Sequence, residues 1–318
     1  MHLSTDVIIQ PIEQRIVYGD RLLFLGSCFA DEIGNICKGL GFDALVNPFG
    51  VLFNPASICQ SLERLENGYN FTENDVIEVG GEFYCTFSHN TEFWNPSPER
   101  LLDTVNENLS HARQHFQQAK WIVVSLGTSW IYRHKQNACI VSNCHKLPSQ
   151  LFHREFLSTE QSTELLSQIV EKHSDKQFIF TVSPLRHLKD GLHENQISKA
   201  ALLLAVDEIC KRFGNAHYFP AYEILLDELR DYRFYKEDMI HPTEQAVHYI
   251  WERFTSFAIA ESELPAMKQA SELKQMLQHK VFFPESEAFR KFEAMKNSKM
   301  ADFERNYTKV KIQNLSVQ

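Results

Sequence analysis

Long apolar segments are missing from this sequence, although 43% of its 318 residues are hydrophobic. No stretch approaches the roughly 18 to 20 consecutive uncharged apolar residues that a membrane-spanning helix requires. The N-terminal residues 1–6, MHLSTD, also lack the basic residues and the apolar run of a Sec-type signal peptide. We therefore expect a protein without a membrane span and without this kind of export signal.

Cysteine pairs with the spacing of a disulfide framework or a metal site are also missing. The seven cysteines are an odd number, spread from Cys28 to Cys210, and no C-x-x-C pair occurs among them. Free thiols in a reducing compartment are the simplest interpretation, which predicts a cytoplasmic location. Cys37, Cys59 and Cys210 have apolar neighbours in predicted helices, so we expect them to be buried structural residues.

Basic residues are too few for a broad nucleic-acid-binding surface. Lys and Arg number 32 against 41 Asp and Glu, which gives a formal net charge of −9. Binding to nucleic acid or to an anionic membrane surface needs the opposite sign, so we expect neither partner. The hydrophobic and aromatic contents, 43% and 12%, are too high for a disordered chain and predict a folded domain with a core.

Short apolar runs alternate with helical patterns over the first 260 residues. Strands are predicted at residues 21–25, 121–126, 177–182 and, more weakly, 216–219. Apolar residues at i, i+3 and i+4 spacing predict helices at 28–38 and within 98–120, 154–173, 197–213 and 243–259. Uninterrupted apolar strands between helices are typical of a parallel sheet that helices cover on both faces. The fold class is therefore α/β, and ligands of such sheets bind at the carboxyl ends of the strands.

Other segments depart from this alternation. Residues 76–88 alternate around Gly80-Gly81 as in a β-hairpin, and residues 131–141 resemble a second antiparallel ribbon. From about residue 261 the sequence becomes a charged tail, with helices predicted near 265–278 and 285–307. We predict one domain at 1–260 and a C-terminal helical extension at 261–318. The extension could pack on the body, mediate oligomerisation or bind a partner, and the oligomeric state stays open.

The first predicted strand ends in Gly26-Ser27-Cys28, directly before a predicted helix. Glycine permits a sharp turn, and a nucleophile just after it lies at a helix N-terminus, where backbone N–H groups and the helix dipole favour negative charge. That position would promote a thiolate at Cys28 and supply a hydrogen-bond donor to an oxyanion. The alternative is that Ser27 caps the helix and Cys28 only fills space.

Asp238 and His241 are three residues apart in a predicted loop, and Pro242 follows them. At this spacing the carboxylate can hold the imidazole in one tautomer, so that the imidazole acts as a general base on a nucleophile elsewhere. In the alternative interpretation both are ordinary surface residues, and Thr243 caps the next helix.

Together these two motifs resemble the GSCFA-domain proteins, a bacterial family related to the SGNH/GDSL hydrolase superfamily. Residues 26–30 read GSCFA, the signature of that family, and the resemblance extends from the first strand to about residue 260. Three further stretches look like this family: NPFG at 47–50, NCHKLP at 143–148 and SPLRH at 183–187, the last followed by Lys189-Asp190. The resemblance implies a three-layer α/β/α, flavodoxin-like hydrolase fold with esterase or acyltransferase chemistry.

The resemblance also implies roles for the two motifs. In GDS-type members of the superfamily the nucleophilic serine is the third residue of the motif, so a colinear match places Cys28 on the nucleophile. The adjacent Ser27 is its rival, but a thiol is the better nucleophile near neutral pH. Asp238 and His241 match the final block of the superfamily, where they would be the orienting carboxylate and the general base.

An oxyanion hole is a further implication of the resemblance. Gly50 looks like the glycine of the second block, whose N–H joins this hole, with Asn47 or Asn54 close by. The third block, GxND in the superfamily, reads GTSW from Gly127 onward. Ser129 therefore replaces the asparagine donor, and loss of one donor can reduce turnover by about two to three orders of magnitude.

Further polar residues are candidates for substrate binding. His145, Arg186 and His187 follow predicted strands or ribbons and could bind a carboxylate or phosphate, as could Asn47. Structural polar contacts or surface positions explain them equally well. A metal site built from Cys144, His145 and His187 can be imagined, but no metal-ligand spacing supports it, so we expect no metal and no cofactor.

The leading functional hypothesis is an acyl-ester hydrolase that acts on an O-acylated carbohydrate or a small ester. The substrate class depends on the superfamily resemblance alone. An acyltransferase with an acyl-thioester donor is the close alternative, because a cysteine nucleophile suits thioester exchange. A non-catalytic ligand-binding module on the same fold is the third interpretation, since the oxyanion asparagine is missing.

Overall fold

The structure is a computed structural model that describes residues 5–279 and 283–316, so part of the N-terminal stretch considered for export signals lies outside it. The strands, in chain order, are β1 Arg21–Gly26, β2 Asp43–Val46, β3 Val76–Val79, β4 Phe83–Thr86, β5 Trp121–Leu126, β6 Trp130–His134, β7 Ile140–Val141, β8 Phe152–Phe156, β9 Gln177–Val182 and β10 Ala216–Tyr218. The helices are α1 Cys28–Gly39, α2 Pro55–Asn67, α3 Pro98–Gln118, α4 Thr159–Lys172, α5 Leu192–Arg212, α6 Ala221–Glu223, α7 Glu244–Ala258, α8 Leu264–Leu277 and α9 Glu287–Asn306. A π-helical turn, Ile224–Glu228, continues α6.

The central sheet contains five parallel strands in the order β10-β9-β5-β1-β2. Successive residues of β1 point to opposite faces, as the pleat of a strand requires. Leu22 and Phe24 pack with residues of α1 and α7, whereas Leu23 and Leu25 pack with residues of α2, α3, α4 and α5. Helices thus cover both faces, and the predicted α/β class and three-layer architecture are confirmed.

Smaller antiparallel elements extend from this sandwich. β3 and β4 form the predicted hairpin, and β6 pairs with β7 as the predicted second ribbon. The helix predicted from residue 154 begins only at Thr159, so its first residues were assigned wrongly. Residues 152–156 are instead the strand β8, which pairs with β6 from Trp130↔Phe156 to His134↔Phe152. Ser158 then caps α4 with a capping box, which fixes the start of that helix.

The C-terminal extension packs on the body of the protein. Phe303, Val310 and Leu315 are buried in the same core cluster as the residues of α1. The backbone N–H of Lys311 donates to the carbonyl oxygen of Gly41 at 2.7 Å, just beyond the end of α1. Of the three roles considered for the tail, the structure therefore shows packing on the body. Within residues 5–279 and 283–316, no helix combines the length and apolar character needed to cross a bilayer.

Candidate active site

The turn after β1 depends on the close approach of β5. Gly26 has φ +133°, and a β-carbon at this position would overlap the backbone of Ser125. Ser27 follows as the N-cap of α1, where its Oγ accepts a hydrogen bond from the N–H of Phe29 at 3.2 Å. The same Oγ lies 2.8 Å from Oγ of Ser125, and Ser27 is only 2% exposed. The hydroxyl of Ser27 therefore belongs to a buried structural network.

Cys28 is the first residue of α1, and it is only partly buried. Burial and then the carboxylate of Asp31 raise the pKa of its thiol above the ordinary value, although its own backbone N–H acts in the opposite direction. The thiol is therefore protonated at neutral pH. This differs from the thiolate that the helix N-terminus alone predicts, because partial burial and a like charge one turn away oppose ionisation.

Asn47 links this turn to the loop after β2. Its backbone has φ +40°, its Oδ1 accepts from the N–H of Gly26 at 2.8 Å, and its Nδ2 donates to Oδ1 of Asp31 at 2.6 Å. Burial raises the pKa of Asp31, and the hydrogen bond from Asn47 partly offsets this. Both polar atoms of the Asn47 side chain are thus used within the protein, so its contribution to substrate binding stays a prediction.

The groups assigned to the oxyanion hole have partners inside the protein. The N–H of Gly50 donates to the carbonyl of Asn47 at 2.7 Å, and the N–H of Gly127 donates to the carbonyl of Phe53 at 2.7 Å. The other two side chains are also used. Oγ of Ser129 donates to the carbonyl of Ser198 at 3.0 Å, and Oδ1 of Asn54 caps α2. Local turns and caps that the sequence does not reveal therefore compete for these donors. The backbone N–H of Cys28 differs from those of Gly50 and Gly127, because it has no oxygen acceptor within the described residues.

The structure brings Asp238 and His241 together. Nδ1 of the imidazole lies 2.6 Å from Oδ2 of Asp238, while Oδ1 of the same carboxylate accepts from the N–H groups of Ile240 and His241, each at 2.9 Å. These backbone bonds and the imidazole lower the pKa of Asp238 to about 2. The carboxylate is thus ionised at neutral pH and accepts the hydrogen bond from Nδ1–H of the imidazole, which orients the ring.

Nε2 of His241 remains open. The His241 side chain is 44% exposed, and within the described part of the chain its only side-chain hydrogen bond is to Asp238. No hydrogen bond joins the imidazole to Ser27 or Cys28 among those residues. The two motifs lie on packed elements, however, because the loop of His241 leads into α7 and α7 packs on α1, the helix that Cys28 begins.

A second imidazole lies at the carboxyl edge of the sheet. A β-carbon on Gly127 would be 3.1 Å from Nε2 of His187, and the His187 ring contacts Phe53 edge-on, with 5.2 Å between the ring centroids. Burial, assisted by the charge of Lys199, lowers the pKa of His187 to about 4, so its ring is neutral at pH 7. No hydrogen bond to its ring nitrogens occurs in the described residues. His187 therefore lies beside the ends of β5 and β9, one strand away from the end of β1.

Lys199 is a residue of this edge that the sequence analysis missed. It lies on α5, is 1% exposed, and its Nζ donates to the carbonyl of Ser183 at 2.7 Å, just after β9. Burial lowers the pKa of its amine to about 7. The sequence could have indicated this residue through its position in the apolar run SKAALLLA, because a lysine is rarely buried in a helix without a polar partner.

Of the remaining candidates for substrate binding, His145 is held by structural hydrogen bonds, whereas Arg186 lies at the surface. Nδ1 of His145 accepts from Nε1 of Trp94 and Nε2 lies 2.8 Å from the carbonyl oxygen of Thr86, so the ring has no free nitrogen for a substrate or a metal. Arg186, by contrast, is partly exposed and contacts the ring of Tyr235. Among the described residues, no group of three or more His, Cys, Asp or Glu side chains is placed to hold a metal ion.

A comparison with known proteins identifies the family of this chain. No curated protein matches the sequence. The model of the GSCFA family matches residues 21–254, from the first residue of β1 almost to the end of α7. This match covers most of the chain and includes both the Gly26-Ser27-Cys28 turn and the Asp238–His241 pair. The chain therefore belongs to the GSCFA family.

Proposed function

We propose that this protein is an acyl-ester hydrolase with Cys28 as nucleophile, His241 as general base and Asp238 as the carboxylate that orients the base. The observation that carries the proposal is the Asp238–His241 pair, whose imidazole is held through Nδ1 and has an open Nε2. This is the arrangement in which an imidazole accepts a proton from a nucleophile. The resemblance to the SGNH hydrolases supports the same assignment.

The protonation state of Cys28 makes the base necessary. A protonated thiol attacks an acyl carbon only if a base accepts its proton, so Nε2 of His241 would take that proton as the C–S bond forms. The tetrahedral intermediate then loses the alkoxide, which takes the proton back from the imidazolium. In the second half, His241 deprotonates a water molecule, and this water attacks the thioester, releases the acid and restores the thiol.

The N–H of Cys28 is the donor best suited to the developing oxyanion, because it lies at the N-terminus of α1 and has no other oxygen acceptor in the described residues. The N–H groups of Gly50 and Gly127 and the hydroxyl of Ser129 would have to exchange their present partners to assist. Fewer donors imply slow turnover of a generic ester, since each donor contributes about 10²- to 10³-fold to the rate.

The test is hydrolysis of 4-nitrophenyl acetate by the purified protein and its variants. Cys28→Ala and His241→Ala should each abolish turnover while their melting temperatures stay near that of the wild type. His248→Ala is the matched control, because His248 is an exposed histidine on α7. Ser27→Ala should lose about 1 kcal/mol of stability with its cap but retain activity. Unchanged turnover in both Cys28→Ala and His241→Ala would refute the proposal.

The thiol also favours a second candidate, an acyltransferase with an acyl-thioester donor, because a cysteine exchanges readily with thioesters. Consumption of acetyl-CoA only when a sugar acceptor is present would distinguish the transferase from the hydrolase. The internal bonds of Gly50, Gly127 and Ser129 favour a third candidate, a ligand-binding module without catalysis. In that case ligand binding would survive His241→Ala.

A further inference from the structure

A groove at the carboxyl ends of β9 and β10 has a volume of about 950 Å³. This volume is in the range of small-ligand sites. It lies between the segment after β9, the first turns of α5, the α6 region and the loop that precedes His241. Its lining includes Arg186, Leu192, Gln196, Tyr222, Tyr235 and Met239.

Apolar side chains are unusually exposed around this groove. Leu192 is 62% exposed, Tyr232 is 79% exposed and Met239 is 51% exposed, and all three line it. Several large apolar side chains exposed together mark a binding surface more often than single ones do. Hydrogen-bonding groups accompany them, because the hydroxyl of Tyr222 donates to Oε1 of Gln196 at 2.5 Å on the groove wall. Tyrosine faces beside amide and hydroxyl groups suit the apolar faces and hydroxyls of a sugar ring.

Arg186 provides a positive charge in the groove without a carboxylate partner. Its guanidinium carbon lies 5.7 Å from the centroid of the Tyr235 ring, and within residues 5–279 and 283–316 it forms no ion pair. Asp231 also lines the groove, but its carboxylate is bonded to the neighbouring Arg233 at 2.8 Å. Asp227 is exposed in the groove lining together with Arg230. A partly buried guanidinium with free donors is suited to bind a carboxylate or a phosphate group.

The groove shares a loop with the proposed general base. Met239 lies between Asp238 and His241, so one loop contributes both to the groove and to the pair. In the sheet order, β9 is separated from β1 by β5 alone. Adjacent strands are about 4.8 Å apart, so the turn of Cys28 and the end of β9 are separated by about 10 Å. A ligand that spans this distance has about the length of a disaccharide.

We propose that the groove binds the anionic part of a carbohydrate ester, with Arg186, which follows β9, bound to its carboxylate or phosphate group and the acyl group across β5 at the turn of Cys28. This assignment rests on the proposed function for the position of the acyl group, but the binding of an anionic sugar does not depend on catalysis. The substrate class is thus an O-acylated disaccharide, or a sugar of similar length, that carries one negative charge.

Binding is tested by isothermal titration of the full-length protein with three non-acylated probes: cellobiose, cellobiuronic acid and cellobiose 6′-phosphate. The wild type should bind at least one charged probe about tenfold or more tightly than cellobiose, and the two charged probes identify which anion is preferred. Arg186→Met should remove this preference, and Arg186→Lys should retain part of it. Arg233→Met is the control and should retain the preference, because Arg233 does not line the groove and its guanidinium is already bonded to Asp231.

The binding and hydrolysis results test the groove assignment and the catalytic proposal separately. No binding of the charged probes, equal affinity of charged and neutral probes in the wild type, or a preference that persists in Arg186→Met would each overturn the groove assignment. If Arg186→Met is unfolded by circular dichroism, Arg186→Gln replaces it, and the wild-type comparison still decides. The acetylated probes are then assayed for hydrolysis: charge-selective binding without turnover refutes the hydrolase alone, whereas turnover without charge preference refutes the groove alone.

Discussion

The buried amine of Lys199 makes the stability of this protein depend on pH in a defined direction. Burial lowers the pKa of Lys199 from its ordinary value of 10.5 to about 7, and within the described residues its Nζ has a single acceptor, the carbonyl of Ser183. Between these two values the unfolded chain holds the proton and the folded protein has released it. The unfolded state therefore binds more protons, and this contribution makes the free energy of unfolding increase as the pH rises from about 7 to about 10.5.

The size of the effect follows from the same interval. Each unit of difference in pKa corresponds to about 1.4 kcal/mol, so the full interval from 10.5 to about 7 amounts to at most about 5 kcal/mol. Below pH 7 both the folded and the unfolded state are protonated, so Lys199 no longer makes the free energy of unfolding change with pH. The full cost of burying the amine then remains. Lys199→Met, which keeps an unbranched side chain of similar length, removes the cost of burying the amine. We expect the variant to be more stable than the wild type near pH 7, and the difference to narrow as the pH rises.

The assay is urea unfolding of the wild type and Lys199→Met at pH 7.0, 8.0 and 9.0. Tyrosines and cysteines also titrate in this range, but they do so in both proteins, so the difference between the two free energies isolates Lys199. That difference should change by about 2 kcal/mol over the series. Lys211→Met, at an exposed position, is the control and should parallel the wild type. If the free energies of unfolding of the wild type and of Lys199→Met change with pH in parallel, the amine of Lys199 is not buried as the structure indicates.

Three further results test other parts of the structure. Asp31→Asn removes a carboxylate that raises the pKa of Cys28, so iodoacetamide should label Cys28 faster at pH 7, and an unchanged rate by peptide mass mapping would contradict the electrostatic argument. Gly26→Ala should destabilise the protein by roughly 3 kcal/mol or more in urea unfolding, because the φ of +133° and the backbone of Ser125 leave no room for a β-carbon. Phe303→Ala should cost about 3 to 5 kcal/mol, because this ring is 1% exposed, and a change below about 1 kcal/mol would mean that the tail does not contribute to the core.

The central strands and, more weakly, the edge strand β10 could be predicted from the sequence, but the other edge strand, β2, could not. β1, β5 and β9 are continuously apolar because helices cover both of their faces, and this pattern is local. β2 has only four residues and includes Asp43, which bonds to Arg21 across the strand pair, so its hydrophobic pattern is too short to recognise. Residues 154–156 of β8 were assigned to a helix because the pairing of β8 with β6 is a long-range contact that periodicity does not report.

The candidate site could also be predicted only in part from the sequence. The Asp238–His241 pair follows from a spacing of three residues, which brings the two side chains together within one turn of loop. The partners of Ser129 and Gly127 are Ser198 and Phe53, which are 69 and 74 positions away, and no local pattern indicates those contacts. Whether a donor is free is therefore a property of the whole fold, whereas the type of residue at the turn is a property of the sequence.

The docking of the C-terminal segment has a consequence for how the protein can be divided. The family match ends at residue 254, but Phe303, Val310 and Leu315 fill the same apolar layer as α1. A recombinant fragment limited to residues 21–254 would leave that layer open to water, directly behind the helix that begins with Cys28. Such a fragment should be less stable or aggregate even though it retains the Gly26-Ser27-Cys28 turn and the Asp238–His241 pair, so the sequence boundaries of the family and the boundaries of cooperative folding do not coincide here.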